Sequence, residues 1–233
     1  KKKILSVHGV YSEQIGLIHS NSLTSIISSK EKQVLQWADV LTTDSLKVKT
    51  DYKEKLNLEV IHLPAPLDFQ KLKNILGTSK IKNQVIYLGR DSFEKGIDIL
   101  KSVEDKINGN IVYCTNSPWE EAMVELKRSS LLIIPSRIES IPQTIKEAYY
   151  LKIPVIATKV GGIPEIVNHD ETGIIIPSED PFALVKAINS LLIDDSKIKT
   201  LTENAFDFVT KNYSWDVLLP KYISFYNDIF KME

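Results

Sequence analysis

One cysteine, Cys114, stands among 233 residues, which excludes an internal disulfide and a cysteine-ligated zinc site. A reducing, cytoplasmic setting is the expectation that follows. Net charge is nearly absent too: 29 basic against 30 acidic residues leave −1, so no global field recruits nucleic acid or an anionic membrane. No apolar run approaches the length that spans a bilayer. The opening KKKILSVHG has a basic cluster but only a four-residue apolar run, too short for a signal peptide, and reads as a strand entered partway through a domain. Internal repeats and low-complexity segments are missing. So are the H-E-x-x-H, P-loop and G-x-G-x-x-G patterns, and His8 has no metal partner at useful spacing. What is present is a 43% hydrophobic fraction with 25% charged residues, enough for one large domain or two small ones with a sizeable core.

The most informative stretch is IIPSRIESIPQTIKEAYYLKIPVIATKVGGIPE, residues 133–165. LLII (131–134), closed by Pro135-Ser136, reads as a buried strand. In IPQTIKEAYYLK, Pro142 suits the first turn of a helix, where no amide donor is needed. Ile145, Ala148 and Tyr149 share one side of that helix and Glu147 points elsewhere. PVIAT (154–158) is a second buried strand, and Gly161-Gly162 permits a tight turn beyond it. Strand, helix, strand in that compass predicts a right-handed parallel crossover, and polar residues at the carboxyl ends of such strands are where open α/β sheets bind ligands.

The same alternation runs through the chain. Residues 4–7 predict a strand ending at His8-Gly9, and residues 11–24 loop with some helix. A helix follows with Val34, Leu35 and Ala38 inward and Trp37 in the core, then a strand VLTT ending at Asp44-Ser45. A lysine-rich helix and the strand LEVIHLP come next. PAPLDFQKLKNILGTSKIKNQ reads as a connector. The pattern restarts with QVIYLG as strand, GIDILKSVEDKI as helix, NIVYC as strand and PWEEAMVELKRSS as helix. After the 133–165 unit, GIIIP (173–177) is a further strand. DPFALVKAINSLLIDD is then an amphipathic helix capped by Asp180 with Pro181 at its first position. Phe182, Val185, Ile188 and Leu192 form its apolar stripe. Residues 197–233 are helical with an interruption near 212–214. The class predicted is α/β, a doubly wound domain with parallel strands, preceded by a thinner unit.

Three motifs carry chemistry. Gly89-Arg90 ends QVIYLG and Glu94-Lys95-Gly96 opens the next helix, an arrangement suited to an anion. Arg90 could hold a phosphate bidentately and Lys95 could add a second charge, unless both are ordinary surface charges on a βα loop. Glu139 and Glu147 suit a glycosidase pair, hydroxyl recognition on a sugar or ribose, or a turn cap beside a solvated helix residue; spacing leaves all three open. Gly161-Gly162-Ile163-Pro164-Glu165 is either plain turn chemistry or a second glycine-rich wall of the same cleft.

In this order the motifs resemble the retaining GT-B glycosyltransferases of family 4. They are Gly89-Arg90 with Glu94-Lys95-Gly96, PSRIES, Glu139 and Glu147 with seven residues between, GGIPEIV, TGIIIP and the DPFALVKAINSLL helix. The front part, SVHG, WADVLTTDS and LEVIHLPAPLD, looks like the second half of that family's acceptor-side domain. The resemblance implies a partial Rossmann-like domain over residues 1–76 and a Rossmann-like donor domain over 77–212, with a C-terminal helix over 213–233 packing back on the first domain. It implies a nucleotide-diphospho-sugar donor as substrate, no cofactor and no metal. Gly89, Arg90 and Lys95 would hold the diphosphate, and Glu139 the donor sugar's hydroxyls. Pro142, Gln143 and Thr144 would meet phosphate or sugar at the helix amino terminus, Glu147 the ribose, and Thr115 would lie near the base. His8 would sit across the cleft near the sugar, and Arg90, Lys95, Glu139 and His8 would form the catalytic set. The implied chemistry is transfer with retention by same-face attack onto a glycan or lipid-linked acceptor, with peripheral contact at the inner membrane face. Against the family pattern the chain begins midway and reads as truncated or split, with a partner chain able to supply the missing strands. The usual strand-helix unit between the EKG helix and the base-side strand is missing, since NIVYC follows Lys106 almost at once, and Ser140-Ile141-Pro142-Gln143 replaces a glycine-rich turn, removing one amide donor. The alternatives are a partner-dependent nucleotide-sugar-binding module and, more distantly, a GT-B epimerase or hydrolase with Glu139 and Glu147 as acid and base.

Overall fold

The computed structural model describes residues 1–11, 16, 21–75 and 77–231, with the side chains of 21–23 left aside. Most of the segment read as loop with some helix, 11–24, lies outside the described residues. The chain forms two parallel sheets. The first has three strands in the order β1-β2-β3: β1 (Ile4–Ser6), β2 (Val40–Thr43) and β3 (Ile61–His62). Helices α1 (Asn21–Leu35) and α2 (Leu46–Leu56) connect them. The second sheet has five strands in the order β5-β4-β6-β7-β8. They are β4 (Gln84–Leu88), β5 (Asn110–Cys114), β6 (Leu131–Ile134), β7 (Val155–Thr158) and β8 (Ile174–Ile176). Between the sheets lies a short helix, α3 (Phe69–Lys73), capped by Asp68 within the stretch read as a plain connector.

The larger sheet shows why its strands read as continuous apolar runs. Ile86, Leu132, Ile134, Val155 and Ala157 face one layer of helices, α5 (Trp119–Arg128), α6 (Gln143–Tyr150) and α9 (Asp195–Tyr213). Their neighbours Val85, Tyr87, Leu131, Ile133 and Ile156 face the opposite layer, α4 (Ile97–Lys101) and α8 (Pro181–Leu191). A strand covered on both faces can spare no polar position. Each fully buried Leu or Ile contributes roughly 1.5–3 kcal/mol of transfer free energy, so this sheet is the stable platform of the molecule. The smaller sheet has a thinner core of Val7, Leu35, Leu41, Val48, Tyr52, Leu56 and Val60.

Several expectations are corrected. Val34 and Trp37, expected inward, are each 66% exposed. Leu35 takes the inward position about 100° round the helix from Val34. The Trp37 ring sits instead under the Lys3 ammonium, 4.5 Å from its centroid. Phe182 is 79% exposed, because it lies about 120° round the helix from Ile188; the buried stripe is Leu184, Ile188 and Leu191. The helix expected from Gly96 is broken into α4 between two short 3-10 turns, Phe93–Lys95 and Glu104–Lys106. Of LEVIHLP only Ile61–His62 pairs as strand. Pro142 is the N-cap of α6, one residue before its first turn.

The two sheets are tied directly. The peptide N–H of Leu67 donates to the Tyr213 carbonyl at 2.7 Å, where α9 ends. Helices α7 (Ile163–Ile166) and α10 (Trp215–Lys231) complete the set, and α10 packs Phe225 and Ile229 on Leu63 while Tyr222 Oη donates to the Pro64 carbonyl at 3.1 Å. No helix among the described residues is long and apolar enough to cross a membrane.

Candidate active site

In the five-stranded sheet, the chain leaves β4 to form β5 on one side and returns to form β6 on the other. That reversal opens a crevice at the carboxyl ends of β4 and β6, the place where such sheets accept ligands. A cavity of about 240 Å³ lies there, lined by Gly89, Arg90 and Lys95 from the β4 side and by Ser136, Glu139, Pro142, Gln143 and Thr144 from the β6 side. Seven residues singled out from the sequence therefore meet around one space. Thr115, half-buried just after β5, Glu147 and His8 are not part of that lining.

Two glycines shape the β6 loop by close approach. Gly96 has φ +66°, and a Cβ there would lie 2.0 Å from the Pro135 carbonyl oxygen. At Gly161, φ is +51° and a Cβ would meet the Glu139 carbonyl oxygen at 1.7 Å. Only glycine fits either place. The loop between is held further by Arg137, which the sequence reading left without a role. Its buried guanidinium makes a two-pronged pair with Asp98 at 2.7 and 2.8 Å, pairs also with Glu179, and stacks on Phe93 at 3.8 Å.

Within the cavity the charges are paired. Lys95 Nζ donates to Glu139 Oε1 at 2.7 Å, and Ser136 Oγ donates to the same oxygen at 2.8 Å. The Arg90 side chain is 72% exposed and its Nη2 lies 2.9 Å from Glu94 Oε1. No side chain caps the amino terminus of α6, so the first amides of that helix, beside the cavity, remain available to an anion. Glu147 differs from the solvated residue that was one of its readings. α5 covers its side of α6, and Trp119 Nε1 donates to its Oε1 at 2.7 Å. Burial raises its carboxyl pKa, partly opposed by that hydrogen bond and by the charges of Lys146 and Lys71.

A second polar chain crosses from the smaller sheet. His8 follows β1 and is largely exposed, with Nδ1 3.6 Å from Asp44 Oδ1 at the end of β2. Asp44 is buried and accepts a 2.8 Å bond from Ser140 Oγ, next to Glu139. Burial opposes ionisation of Asp44, but the imidazole of His8 beside it, the hydrogen bond from Ser140 and the charge of Lys146 hold its carboxyl below the usual range. The neighbouring Asp44 carboxylate correspondingly raises His8, against partial burial. Lys146, on α6 and fully buried, donates to the Ala65 carbonyl at 2.8 Å and faces the Tyr213 ring; burial lowers its amine to about 8. Glu165 closes the arrangement by accepting from Ser45 Oγ at 2.6 Å and from the amides of Leu46 and Lys47, each at 2.8 Å, at the start of α2. Asp44-Ser45 at a strand end and Glu165 in GGIPEIV carried a sequence signal; Lys146 carried none, since a lone charge on a helix ordinarily faces solvent.

The architecture, two parallel Rossmann-like sheets joined through a returning C-terminal helix, is the GT-B fold. It matches sucrose-phosphate synthase from Thermosynechococcus elongatus with a TM-score of 0.82 at 18% identity, covering 99% of this chain and 68% of that one. It also matches Anabaena Alr3699/HepE, solved in complex with UDP-glucose, with a TM-score of 0.78 at 14% identity over 98% of this chain and 72% of that one. Residues 103–208 match the family model for glycosyl transferases group 1. A D-inositol 3-phosphate glycosyltransferase of Corynebacterium efficiens is 28% identical over 127 residues, 54% of this chain and 30% of that protein. The match to the group 1 model thus covers somewhat less than half of the chain, and the neighbours share its GT-B fold. Measured against three curated relatives, the chain spans 30%, 66% and 48% of their lengths.

Proposed function

We propose that the crevice between β4 and β6 binds a nucleotide-diphospho-sugar and that the chain serves transfer of the sugar, with retention, to a glycan or lipid-linked acceptor. The observation that carries this is the convergence of Arg90, Lys95, Glu139 and the uncapped start of α6 on one cavity at the sheet's switch point. A diphosphate entering there competes for both cations. Lys95 then turns from Glu139 to phosphate, and Arg90 from Glu94. Glu139, released but still within reach of Ser136, becomes an acceptor for sugar hydroxyls. As the bond to the diphosphate breaks, Arg90, Lys95 and the α6 amides stabilise the growing negative charge, the largest single contribution such a site can make. The reading assigns this charge to the two cations and the helix and calls on no metal. Engagement of Glu139 by Lys95 and Ser136 supports a recognition role over a covalent nucleophile, hence same-face attack. Residues 1–76, 77–212 and 213–233 act as acceptor-side unit, donor unit and returning helix on this reading, in a cytoplasmic setting.

Calorimetric titration with UDP, GDP, ADP and their sugars tests it. Binding of one nucleotide series is expected, with Arg90→Ala weakening diphosphates far more than the free nucleoside because a charge-assisted pair is lost. No binding of any nucleotide sugar overturns the donor-site reading. Binding without transfer points to a partner-dependent module, and free-sugar release abolished by Glu139→Gln points to a hydrolase.

A further inference from the structure

Asp44 lies where the two sheets face each other. It terminates β2, and its carboxylate is shared between His8, from the loop after β1, and Ser140, from the loop after β6. The backbone carbonyl of the same residue accepts a bond from His62 Nε2 at 3.2 Å. Among the described residues, the charged or titratable groups around it are His8 after β1, His62 in β3, Lys146 in α6, Tyr213 at the end of α9 and Tyr222 in α10, with Glu165 of α7 on the adjoining Ser45. A buried carboxylate is costly unless its partners are kept, so the contact fixes both loops at once. We propose that Asp44 is a positioning residue: it holds His8 and, through Ser140, sets that histidine in register with the loop that carries Glu139. The consequence for sugar transfer rests on the donor-site reading above; the coupling of the two loops rests on geometry alone. With Asp44 ionised, His8 keeps its proton to higher pH than an unpaired imidazole would.

Because the coupling exists without ligand, it is tested without one. Histidine ring and backbone amide resonances are followed by NMR from pH 5 to 9 in wild type and Asp44→Asn, the His8 signal being assigned with His8→Gln. In wild type, the amides of Glu139 and Ser140 should titrate with the His8 midpoint. In Asp44→Asn that midpoint should fall and the two amides should cease to follow it. Asp44→Ser gives the same comparison should the Asn variant not fold, and Asp44→Glu should restore part of the coupling. An unchanged His8 midpoint, or wild-type amides at 139 and 140 that ignore it, overturns the proposal. Titration of the same samples with UDP, GDP, ADP and their sugars decides the donor-site reading separately, so either can fail alone.

Discussion

Lys146 makes the stability of this fold depend on pH in a direction that can be worked out beforehand. Its amine is fully buried on α6, has one hydrogen bond, to the Ala65 carbonyl, and is lowered by burial from 10.5 to about 8. Between those values the unfolded chain binds the proton more tightly than the folded one, so stability rises with pH across that window. At about 1.4 kcal/mol per decade, keeping this ammonium buried costs about 3 kcal/mol at pH 7 and about 1 kcal/mol at pH 9.5. Lys80, also lowered to about 8 by burial, acts in the same direction, while buried tyrosines such as Tyr149 lose stability above their ordinary range. The variant Lys146→Met isolates the residue, because those other groups cancel in the difference. Urea unfolding at pH 7 and pH 9.5 should show wild type gaining about 2 kcal/mol more than Lys146→Met over that interval. At pH 7 the variant should be near neutral, since relief of the buried charge is offset by the loss of the Ala65 bond and of a positive neighbour for Asp44. Equal pH dependence in the two proteins would refute the reasoning, and would mean that water reaches the amine.

Two further substitutions probe the walls of the crevice. Gly161→Ala places a methyl group against the Glu139 carbonyl at a positive φ, and should lower unfolding free energy by more than about 2 kcal/mol while weakening nucleotide binding, read by urea melts and calorimetry. Trp119→Phe removes the 2.7 Å donor to Glu147 and should destabilise by about 2 kcal/mol at pH 8. Because burial already raises Glu147, the loss should shrink as pH falls and the carboxyl takes up its own proton; thermal melts over a descending pH series measure this.

The strands of the larger sheet, their parallel order around the 133–165 unit, and the cavity residues from Gly89 to Thr144 were legible in the sequence because each is a local pattern. A run such as Leu131–Ile134 must be buried on both faces, and glycine or proline must stand where a strand turns. Phe182 was misplaced by an angle that counting residues would have given. Trp37 and Lys146 lay beyond such reading, since nothing within a few residues says that the first is left open and the second covered. The pairing of side chains was likewise decided only by the fold. Lys95 meets Glu139 across 44 positions, Ser140 meets Asp44 across 96, and Ser45 meets Glu165 across 120. Residue type determined which groups could carry charge at the ends of these strands. Which charges neutralise one another depends on which loops the two sheets bring face to face, and that is a property of packing over the whole chain.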